Sequence, residues 1–262
     1  MVVDWLKLLF FGDIVGQAGC EKLRNELPRL KKDLGAGIVV ANGENSAEGN
    51  GITPHSARYL FDSGVDIITT GNHSLRRREI YDVLEEQNGV IRPANYHPDA
   101  PGSGVFFYDN PAFPLYVINL QGQVYMDGIH QNPFDCADQL LEKINCPNIL
   151  VDFHAEATAE KLAMGHYLDG RVSAVIGTHT HVQTADERIL PKGTAYITDV
   201  GMCGGKNSIL GVYKDKAIER LRTNLPHRFA NDPEDIELNC VLLEFSKTGG
   251  KISAITRIRI EA

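Results

Sequence analysis

The chain has 262 residues, of which 43% are hydrophobic and 23% are charged, and its formal net charge at pH 7 is −8. These values are typical of a globular protein with a full core, and the acidic charge argues against a general nucleic-acid scaffold, which needs a basic surface. They leave room for a small phosphate-bearing ligand held by local positive charge.

The first segment, MVVDWLKLLFFGD, contains an apolar run that is too short to cross a bilayer, and it lacks the charged start and cleavage site of a signal peptide. We interpret residues 6–11 as the first strand. Five widely spaced cysteines form no CxxC pair, a pattern that favours reduced thiols over a disulfide framework. We therefore expect a cytoplasmic protein with no membrane segment.

Beyond this strand, short apolar runs alternate with helix-like segments, which is typical of βα units around a mainly parallel sheet. Further strands are predicted at 36–41, 65–70, 148–153, 172–177, 194–199, 236–245 and 251–260, and a two-stranded hairpin at 103–122. Helices are predicted at 20–34, 53–64, 78–87, 135–144, 156–168 and 214–225. This order predicts one α/β domain over residues 1–262, in which hairpin elements complete a second sheet.

Local signals mark several element ends. Pro28 lies inside the first predicted helix and is expected to bend or shorten it. Thr53 is the expected N-cap of the second helix, with Pro54 at its first position and Gly64 past its end. The alternation of apolar and polar residues over 251–260 predicts a strand with one face in solvent.

Polar side chains follow five of the apolar strands, directly or after a glycine. Because the carboxyl ends of parallel strands meet at one edge of a sheet, we expect these side chains to lie close together. His179 and His181 are two residues apart, so in extended backbone they share one face. The strand-end residues are Asp13, Glu44, Asn45, Asn72, His73, His154, His179 and His181.

Each of these residues also has a purely structural interpretation. Asp13 could cap a helix, and Asn45 and Asn72 could be turn residues. A lone His154 or His179 is more often a hydrogen-bonded core residue than a ligand. Structural roles alone would place such residues at five successive strand ends only by coincidence, so we favour a shared functional site. Glycines that permit a tight turn or a close backbone approach stand at four of these ends, at Gly12, Gly43, Gly71 and Gly177.

Without His73, the strand-end residues supply two carboxylates, two amides and three imidazoles. One metal ion takes about four to six ligands, so seven protein groups fit two ions better than one. Two divalent ions bring four positive charges, of which Asp13 and Glu44 cancel only two. Such a pocket suits an anionic phosphoryl group, and two-metal centres are the standard device for in-line attack at phosphorus.

The motifs GDIVG, ANGENSAEGNGIT, TGNH, RPANY, FHAEATAEK, GTHTHVQTAD and TDVGM together resemble those of the YmdB-type bacterial phosphodiesterases, within the calcineurin-like metallophosphoesterases. The resemblance extends from about residue 7 to the C-terminus. It implies a four-layer αββα sandwich with a dinuclear Fe or Mn centre, and the donor types also suit Zn. It further implies hydrolysis of cyclic nucleotides, notably 2′,3′-cyclic ones, with 3′,5′-cyclic ones as a further candidate.

The resemblance divides the candidate ligands into two sets joined by a bridging acid. His73 would be the general acid that protonates the leaving alkoxide after attack by a metal-bridging hydroxide, or alternatively a residue that only orients the phosphate. Val15 stands where the superfamily usually has the histidine of an Asp-x-His motif, and this subfamily uses an asparagine instead. One ion is assigned to Asp13, Asn45 and His181 and the other to Asn72, His154 and His179, with Glu44 bridging.

The chain departs from the family pattern after GNH, where a small residue, tryptophan and aspartate are usual. Ser74 keeps the small residue, but Leu75 and Arg76 replace tryptophan and aspartate, and two further arginines follow at Arg77 and Arg78. This change bears on the orientation of the catalytic histidine and on the fit of the substrate, but not on the metal assignment. The arginines are interpreted as a solvated helix start, with binding of a second phosphate as the alternative.

We therefore predict a dinuclear metallophosphodiesterase that acts on a small phosphodiester or cyclic nucleotide, without a stable nucleic-acid or membrane partner. A homo-oligomer is left open. The alternatives are a metal-bound nucleotide-sensing regulatory protein with negligible turnover, and a phosphomonoesterase or protein phosphatase that shares the metal chemistry. Tyr96 and His97 could stack a base or serve packing, and Cys203 is interpreted as structural.

Overall fold

The computed structural model describes residues 6–48, 50–246 and 250–261. The beginning of the N-terminal segment, residues 1–5, and Gly49 within ANGENSAEGNGIT lie outside the described residues. The helices are α1 (Gly16–Leu34), α2 (Pro54–Asp62), α3 (Tyr81–Glu85), α4 (Pro133–Leu141), α5 (Thr158–Tyr167) and α6 (Lys214–Thr223). The strands are β1 (Lys7–Phe11), β2 (Asp13–Ile14), β3 (Ile38–Asn42), β4 (Ile67–Thr69), β5 (Val105–Tyr108), β6 (Leu115–Gln121), β7 (Ile149–His154), β8 (Ala174–Thr178), β9 (Arg188–Ile189), β10 (Ala195–Ile197), β11 (Met202–Gly205), β12 (Ile236–Phe245) and β13 (Ile252–Ile260).

The strands form two sheets. The first sheet has the order β2-β11-β12-β1-β3-β4, with β13 paired to β12, and its β1, β3 and β4 are parallel. The long β12 pairs with β1 through residues 240–244 and with β11 through 236–238. The second sheet has the order β5-β6-β7-β8-β10-β9, in which β6, β7, β8 and β10 are parallel.

Three apolar layers hold these elements together. Between the sheets lie alternate strand residues such as Leu8 and Phe10 of β1 and Val117 of β6. The intervening residues of the first sheet, such as Leu9, pack against α1, α2 and α3. The outer face of the second sheet packs against α4 and α5, for example through Phe153. The order of layers is helices, sheet, sheet, helices, and the predicted four-layer αββα sandwich is confirmed.

Most predicted elements are present, and the differences have local causes. The hairpin over 103–122 is β5 paired antiparallel with β6. Helix α1 begins at Gly16, four residues earlier than predicted, and its Gly19, without a side chain, lies directly against the Cys203 carbonyl of β11. Pro28 lies inside α1 without ending it. The predicted helix over 78–87 is a 3₁₀ turn followed by the short α3.

The region after β8 contains short strands that the sequence did not predict. β9 and β11 have two and four residues, and they form by pairing with β10 and with β2 and β12. The strand predicted over 251–260 is β13, in which Ile252 is buried and the other residues are half-buried or exposed. None of the helices in the described part of the chain combines the length and hydrophobicity that crossing a bilayer requires.

Helix α2 begins with the predicted cap. The Thr53 side chain accepts a hydrogen bond from the Ser56 backbone N–H at 3.1 Å, and the Thr53 N–H donates to the Ser56 hydroxyl at 3.0 Å. Pro54 occupies the first helical position. This reciprocal pair satisfies two backbone groups that the helix itself leaves without partners.

We predict that Thr53→Ala lowers the free energy of unfolding by about 1 kcal/mol, because it removes the side-chain half of this cap. The matched control is Thr158→Ala, which removes the same atoms at an exposed first position of α5 and should change stability by less than about 0.5 kcal/mol. Urea unfolding followed by circular dichroism measures both. Equal effects at the two positions would contradict the capping role.

Candidate metal centre

The strand-end residues named from the sequence converge at one end of the sandwich. Glu44 and Asn45 follow β3, and Asn72 follows β4 in the first sheet. His154 ends β7 and His179 follows β8 in the second sheet. The expectation of a single sheet edge was therefore wrong. The residues come from two sheets that pack face to face with their carboxyl ends side by side.

One group of donors contains Asp13, Asn45 and His181. Asp13 begins β2 and is fully buried, and its Oδ1 lies 3.6 Å from His181 Nε2. Asn45 Nδ2 lies 3.3 Å from the same imidazole nitrogen and 3.5 Å from Asp13 Oδ1. These three residues, which are far apart in the chain, are thus brought into mutual contact.

A second group contains Asn72, His154 and His179. His154 Nε2 lies 3.0 Å from Asn72 Oδ1 and 3.1 Å from His179 Nδ1. The imidazole of His154 is fully buried, whereas His179 is partly exposed. The three side chains point their donor atoms at one small space.

Glu44 connects the two groups. Its Oε1 lies 3.1 Å from His154 Nε2 in the second group and 3.3 Å from Asn45 Nδ2 in the first. The ligand atoms of Glu44, His154 and His179 lie within 4.8 Å of one another, as expected of residues able to hold a metal ion. Glu44 is almost fully buried, so its charge is directed to these neighbours rather than to solvent.

In the two donor groups, each of the three histidines has a hydrogen-bond acceptor next to the ring nitrogen that points away from the other donors. His181 Nδ1 donates to the Leu210 carbonyl at 3.0 Å, and His154 Nδ1 lies 2.9 Å from Thr178 Oγ1. His179 Nε2 lies 3.0 Å from Glu156 Oε2. An acceptor on the far nitrogen fixes the ring and its tautomer, which is the usual support of a metal-binding histidine.

The supports of His154 were not named from the sequence. Thr178 Oγ1 donates to Asp152 Oδ1 at 2.7 Å, which leaves the threonine oxygen to accept from His154. Asn42 donates to the other Asp152 oxygen at 3.2 Å. Burial of Asp152 raises the pKa of this carboxyl to about 6. An acid in an apolar strand two residues before a strand-end histidine was the available signal, since such residues share a face.

Two acid–histidine pairs, Glu44 with His154 and Asp13 with His181, determine the electrostatics of the site. Burial opposes ionisation of Glu44, but the charges and hydrogen bonds of the neighbouring histidines outweigh it and hold the pKa of Glu44 well below its usual range. Burial disfavours protonation of His154, yet the charge of Glu44 raises the pKa of His154 to about 9. For Asp13 and His181, mutual attraction likewise outweighs burial, which lowers the pKa of the acid and raises that of the base. Burial and the charge of His154 lower the pKa of His179 to about 3.

His73 stands beside the two groups. Its backbone N–H donates to Glu44 Oε2 at 2.9 Å, and its Nδ1 lies 2.8 Å from Asn45 Oδ1. About 24% of its side chain is exposed, and it lines a cavity of about 610 Å³ together with His179 and His181. The imidazole therefore faces the space where a ligand of the centre would lie.

The loop that carries His179 and His181 is held by a buried ion pair. Both histidines have positive φ angles, 103° and 64°, in a region that side chains other than glycine rarely adopt. Asp199 accepts from the Thr180 N–H at 3.0 Å and from Lys161 Nζ at 2.6 Å, and both charged groups are almost fully buried. This pair, which the sequence did not reveal, stabilises the strained loop.

The remaining candidates lie outside the two groups. Tyr96 is largely buried and donates to Gln121 Oε1 at 2.6 Å, so it packs below the centre. His97 is exposed and lies beside Asp99. Cys203 is buried in β11, where its thiol lies 3.5 Å from the Asn239 carbonyl, and burial raises its pKa.

The arginines after His73 separate in the structure. Arg76 and Arg78 are exposed, whereas Arg77 is half-buried. The Arg77 side chain donates to the backbone carbonyls of Asn50, at 3.0 Å, and of Glu48. Leu75, which replaces the usual tryptophan, packs against the apolar layer around α1 to α3.

Comparison with known proteins identifies the family. The sequence matches YmdB-like proteins over residues 9–258. The chain belongs to this family. It is 44% identical over 257 residues to the 2′,3′-cyclic-nucleotide 2′-phosphodiesterase of Bacillus subtilis strain 168, and the match covers 97% of both chains.

Solved structures show the same relationship. A phosphatase from Mycoplasma pneumoniae shares 34% identity with a TM-score of 0.93, over 98% of this chain and 94% of the other. A hypothetical protein from Thermus thermophilus shares 39% identity with a TM-score of 0.92, over 98% of this chain and 99% of the other. The predicted family is confirmed, and relatives named phosphodiesterase or phosphatase confirm the predicted enzyme class, the phosphoric ester hydrolases.

We predict that Lys161→Met lowers the free energy of unfolding by about 3–5 kcal/mol, because it leaves the Asp199 charge buried without its partner. The control is Lys206→Met, which breaks an exposed ion pair with Glu261 and should change stability by less than about 1 kcal/mol. Chemical unfolding of the two variants makes the comparison. Similar small losses would show that the buried pair does not stabilise the loop.

Proposed function

We propose that this protein is a metal-dependent phosphodiesterase that hydrolyses 2′,3′-cyclic nucleotides. The observation that carries the proposal is the pair of donor groups joined through the buried carboxylate of Glu44. The full-length similarity to the Bacillus subtilis 2′,3′-cyclic-nucleotide 2′-phosphodiesterase supports the substrate class. Hydrolysis of 3′,5′-cyclic nucleotides by the same centre is part of the proposal, since both rings present a phosphodiester.

The donors suit two divalent ions. Within the two groups and the Glu44 bridge, neighbouring donor atoms are 3.0–3.6 Å apart. Ligands about 2.1 Å from one ion are separated by about 3.0 Å in an octahedral arrangement and about 3.4 Å in a tetrahedral one. Asp13, Asn45 and His181 would hold one ion, and Asn72, His154 and His179 the other, with Glu44 between them. The mixture of imidazole and oxygen donors favours Fe or Mn, with Zn as a further candidate.

Asn45 requires one adjustment for this role. It presents its amide nitrogen to Asp13 and His181 and its oxygen to His73. A half-turn of the terminal amide exchanges the two atoms without moving the rest of the side chain. The oxygen would then face the ion, and the acceptor for the Nδ1–H of a protonated His73 would be Glu44 Oε1, which lies 3.3 Å away.

The chemistry follows from charge and position. Two divalent ions, when bound, supply a water of lowered pKa and positive charge for the phosphoryl group. The partly exposed His179 and His181 form the cavity wall, while the buried Asp13 and Glu44 offset part of the ionic charge. His73, whose Nδ1 lies 3.3 Å from Glu44 Oε1, is the proposed general acid for the leaving oxygen.

Two properties of the whole chain complete the proposal. All five cysteines are free and none forms a disulfide, which supports a reducing, cytoplasmic location. The apolar layer between the sheets contains residues from Leu8 in β1 to Ile252 in β13, which supports a single domain.

We predict that Glu44→Gln weakens the binding of both ions by about 100-fold or more, whereas Asn45→Ala weakens mainly one by about tenfold. The carboxylate contacts both donor groups and carries charge, and the neutral amide belongs to one group. Titration of metal-free protein with Mn²⁺ by calorimetry gives both affinities, and Glu142→Gln on the opposite, helical side of the second sheet is the matched control. Equal, small effects at positions 44 and 45 would remove Glu44 from the bridge.

We predict that His73→Ala retains both metals but lowers turnover of a cyclic nucleotide by about 10²- to 10⁴-fold. The loss should be smaller for bis-p-nitrophenyl phosphate, because p-nitrophenolate leaves without a proton. Elemental analysis and kcat for the two substrates are measured, with His97→Ala, an exposed histidine outside the centre, as the control.

Other roles give different outcomes in the same assays. A His73 that only orients phosphate predicts equal losses for both leaving groups. A nucleotide sensor predicts no wild-type turnover. A phosphomonoesterase predicts turnover of p-nitrophenyl phosphate but not of either diester.

A further inference from the structure

A second cavity lies next to the cavity of the metal centre. Its volume is about 660 Å³, and α1, α2, the 46–48 loop, Arg77 and residues 228–230 form its wall. Arg228 and Phe229 line both this cavity and the one at the metal centre. A ligand held at the centre can therefore extend into the second cavity. Each cavity alone is large enough for one small molecule.

The second cavity carries two arginines without carboxylate partners in the described part of the chain. Arg77 uses two of its five N–H groups on backbone carbonyls, so it is anchored while three remain for a ligand. Arg228 makes no hydrogen bond or ion pair to any described residue. The opposing charge in the wall is Glu48, which is exposed. The wall has a surplus of positive charge on a chain whose formal net charge is −8.

An exposed aromatic ring stands where the two cavities meet. About 36% of Phe229 is exposed, and the guanidinium of Arg220 lies 5.5 Å from the centre of its ring. Ser46 and Thr53 also line the second cavity. Aromatic rings next to guanidinium groups bind a base and its phosphate together, because the ring stacks and the cation pairs.

A cyclic mononucleotide does not explain these features. Its only phosphate lies at the metal centre, so it has no anion for Arg77 and Arg228. A nucleotide attached on its 5′ side supplies a phosphodiester for the arginines and a base for Phe229. The acidic surface elsewhere does not favour a long nucleic-acid track.

We propose that the second cavity binds the 5′-neighbouring nucleotide of a short oligonucleotide that ends in a 2′,3′-cyclic phosphate. The inference rests on the proposed function, and it extends the substrate class from mononucleotides to cyclic 3′ ends. The bond that breaks is still the P–O bond of the cyclic phosphate, with water as the nucleophile. The neighbouring phosphodiester is bound and is not cleaved.

Three substrates test the subsite with the metal-loaded protein. They are adenosine 2′,3′-cyclic phosphate, the diadenosine dinucleotide with a 2′,3′-cyclic end, and the same dinucleotide with an uncharged methylphosphonate linkage. We expect kcat/KM to be about tenfold higher for the charged dinucleotide than for the mononucleotide. The methylphosphonate should lose most of this preference, because it keeps the base but removes the anion.

Two variants and one control assign the preference to residues. Arg77→Met and Arg228→Met should each lower the preference for the charged dinucleotide by about threefold, with little further effect on the methylphosphonate. Arg78→Met, an exposed arginine outside the cavity, should keep the wild-type preference. Arg228 has no internal partner to lose among the described residues. If Arg77→Met disturbs the backbone at Glu48 and Asn50, the Arg228 variant therefore decides whether the subsite exists.

The possible failures are distinguishable. If the mononucleotide is cleaved but all three substrates have equal kcat/KM, the subsite is discarded and the proposed function stands. If a 5′-phosphorylated mononucleotide shows the full preference, the cavity binds a terminal phosphate and the oligonucleotide is discarded. If nothing is cleaved, the proposed function fails. Calorimetry then still tests the subsite. If the subsite exists, the 3′-phosphorylated dinucleotide binds about tenfold more tightly than 3′-AMP, and the Arg228→Met variant binds this dinucleotide less tightly than the wild type does.

Discussion

The contact between Glu44 and His154 is the interaction on which the candidate site depends. One residue follows a strand of the first sheet, the other ends a strand of the second, and both are buried. A buried carboxylate without a partner is strongly destabilising, so the 3.1 Å contact requires the two sheets to pack in one register. The apolar layer between the sheets supplies that register through interlocking strand residues. The Glu44–His154 ion pair can therefore form only when the whole sandwich is correctly packed.

The site divides into a rigid floor and an adjustable wall. Asp13, Glu44 and His154 are on or next to strands and are closed to solvent. His179 and His181 are on a loop with positive φ angles that depends on Asp199 for its shape. Because the partly exposed residues face the cavity, changes of substrate can be accommodated there while the floor keeps its geometry.

Much of this arrangement could be predicted from the sequence, because strand ends are local signals. Apolar runs followed by a polar residue, directly or after a glycine, predicted the eight candidate site residues, and the structure places them close together. The division into two sheets could not be derived in this way. Strands buried on both faces lack the alternation that would tell which sheet they join. The supports of the site, such as Asp152, Thr178 and Lys161, were missed because their partners are distant in the chain. The sequence also did not predict that, in the described part of the chain, Arg77 alone among the three consecutive arginines is anchored to the backbone, because its hydrogen-bond acceptors lie on another loop.

Gly71 gives the floor a further property. A Cβ atom there would collide with the His154 imidazole, so the backbone after β4 lies directly on the ring. With Thr178 holding the opposite nitrogen, the ring has lost its rotational freedom before any ion arrives. Binding then requires little additional loss of side-chain entropy on this side, and a cation whose radius differs from the preferred one meets a donor that does not follow it. The loop histidines can shift to meet the same cation. Tolerance of different metals would therefore depend on the loop histidines, and discrimination between metals would depend on Gly71, which keeps the His154 ring in place.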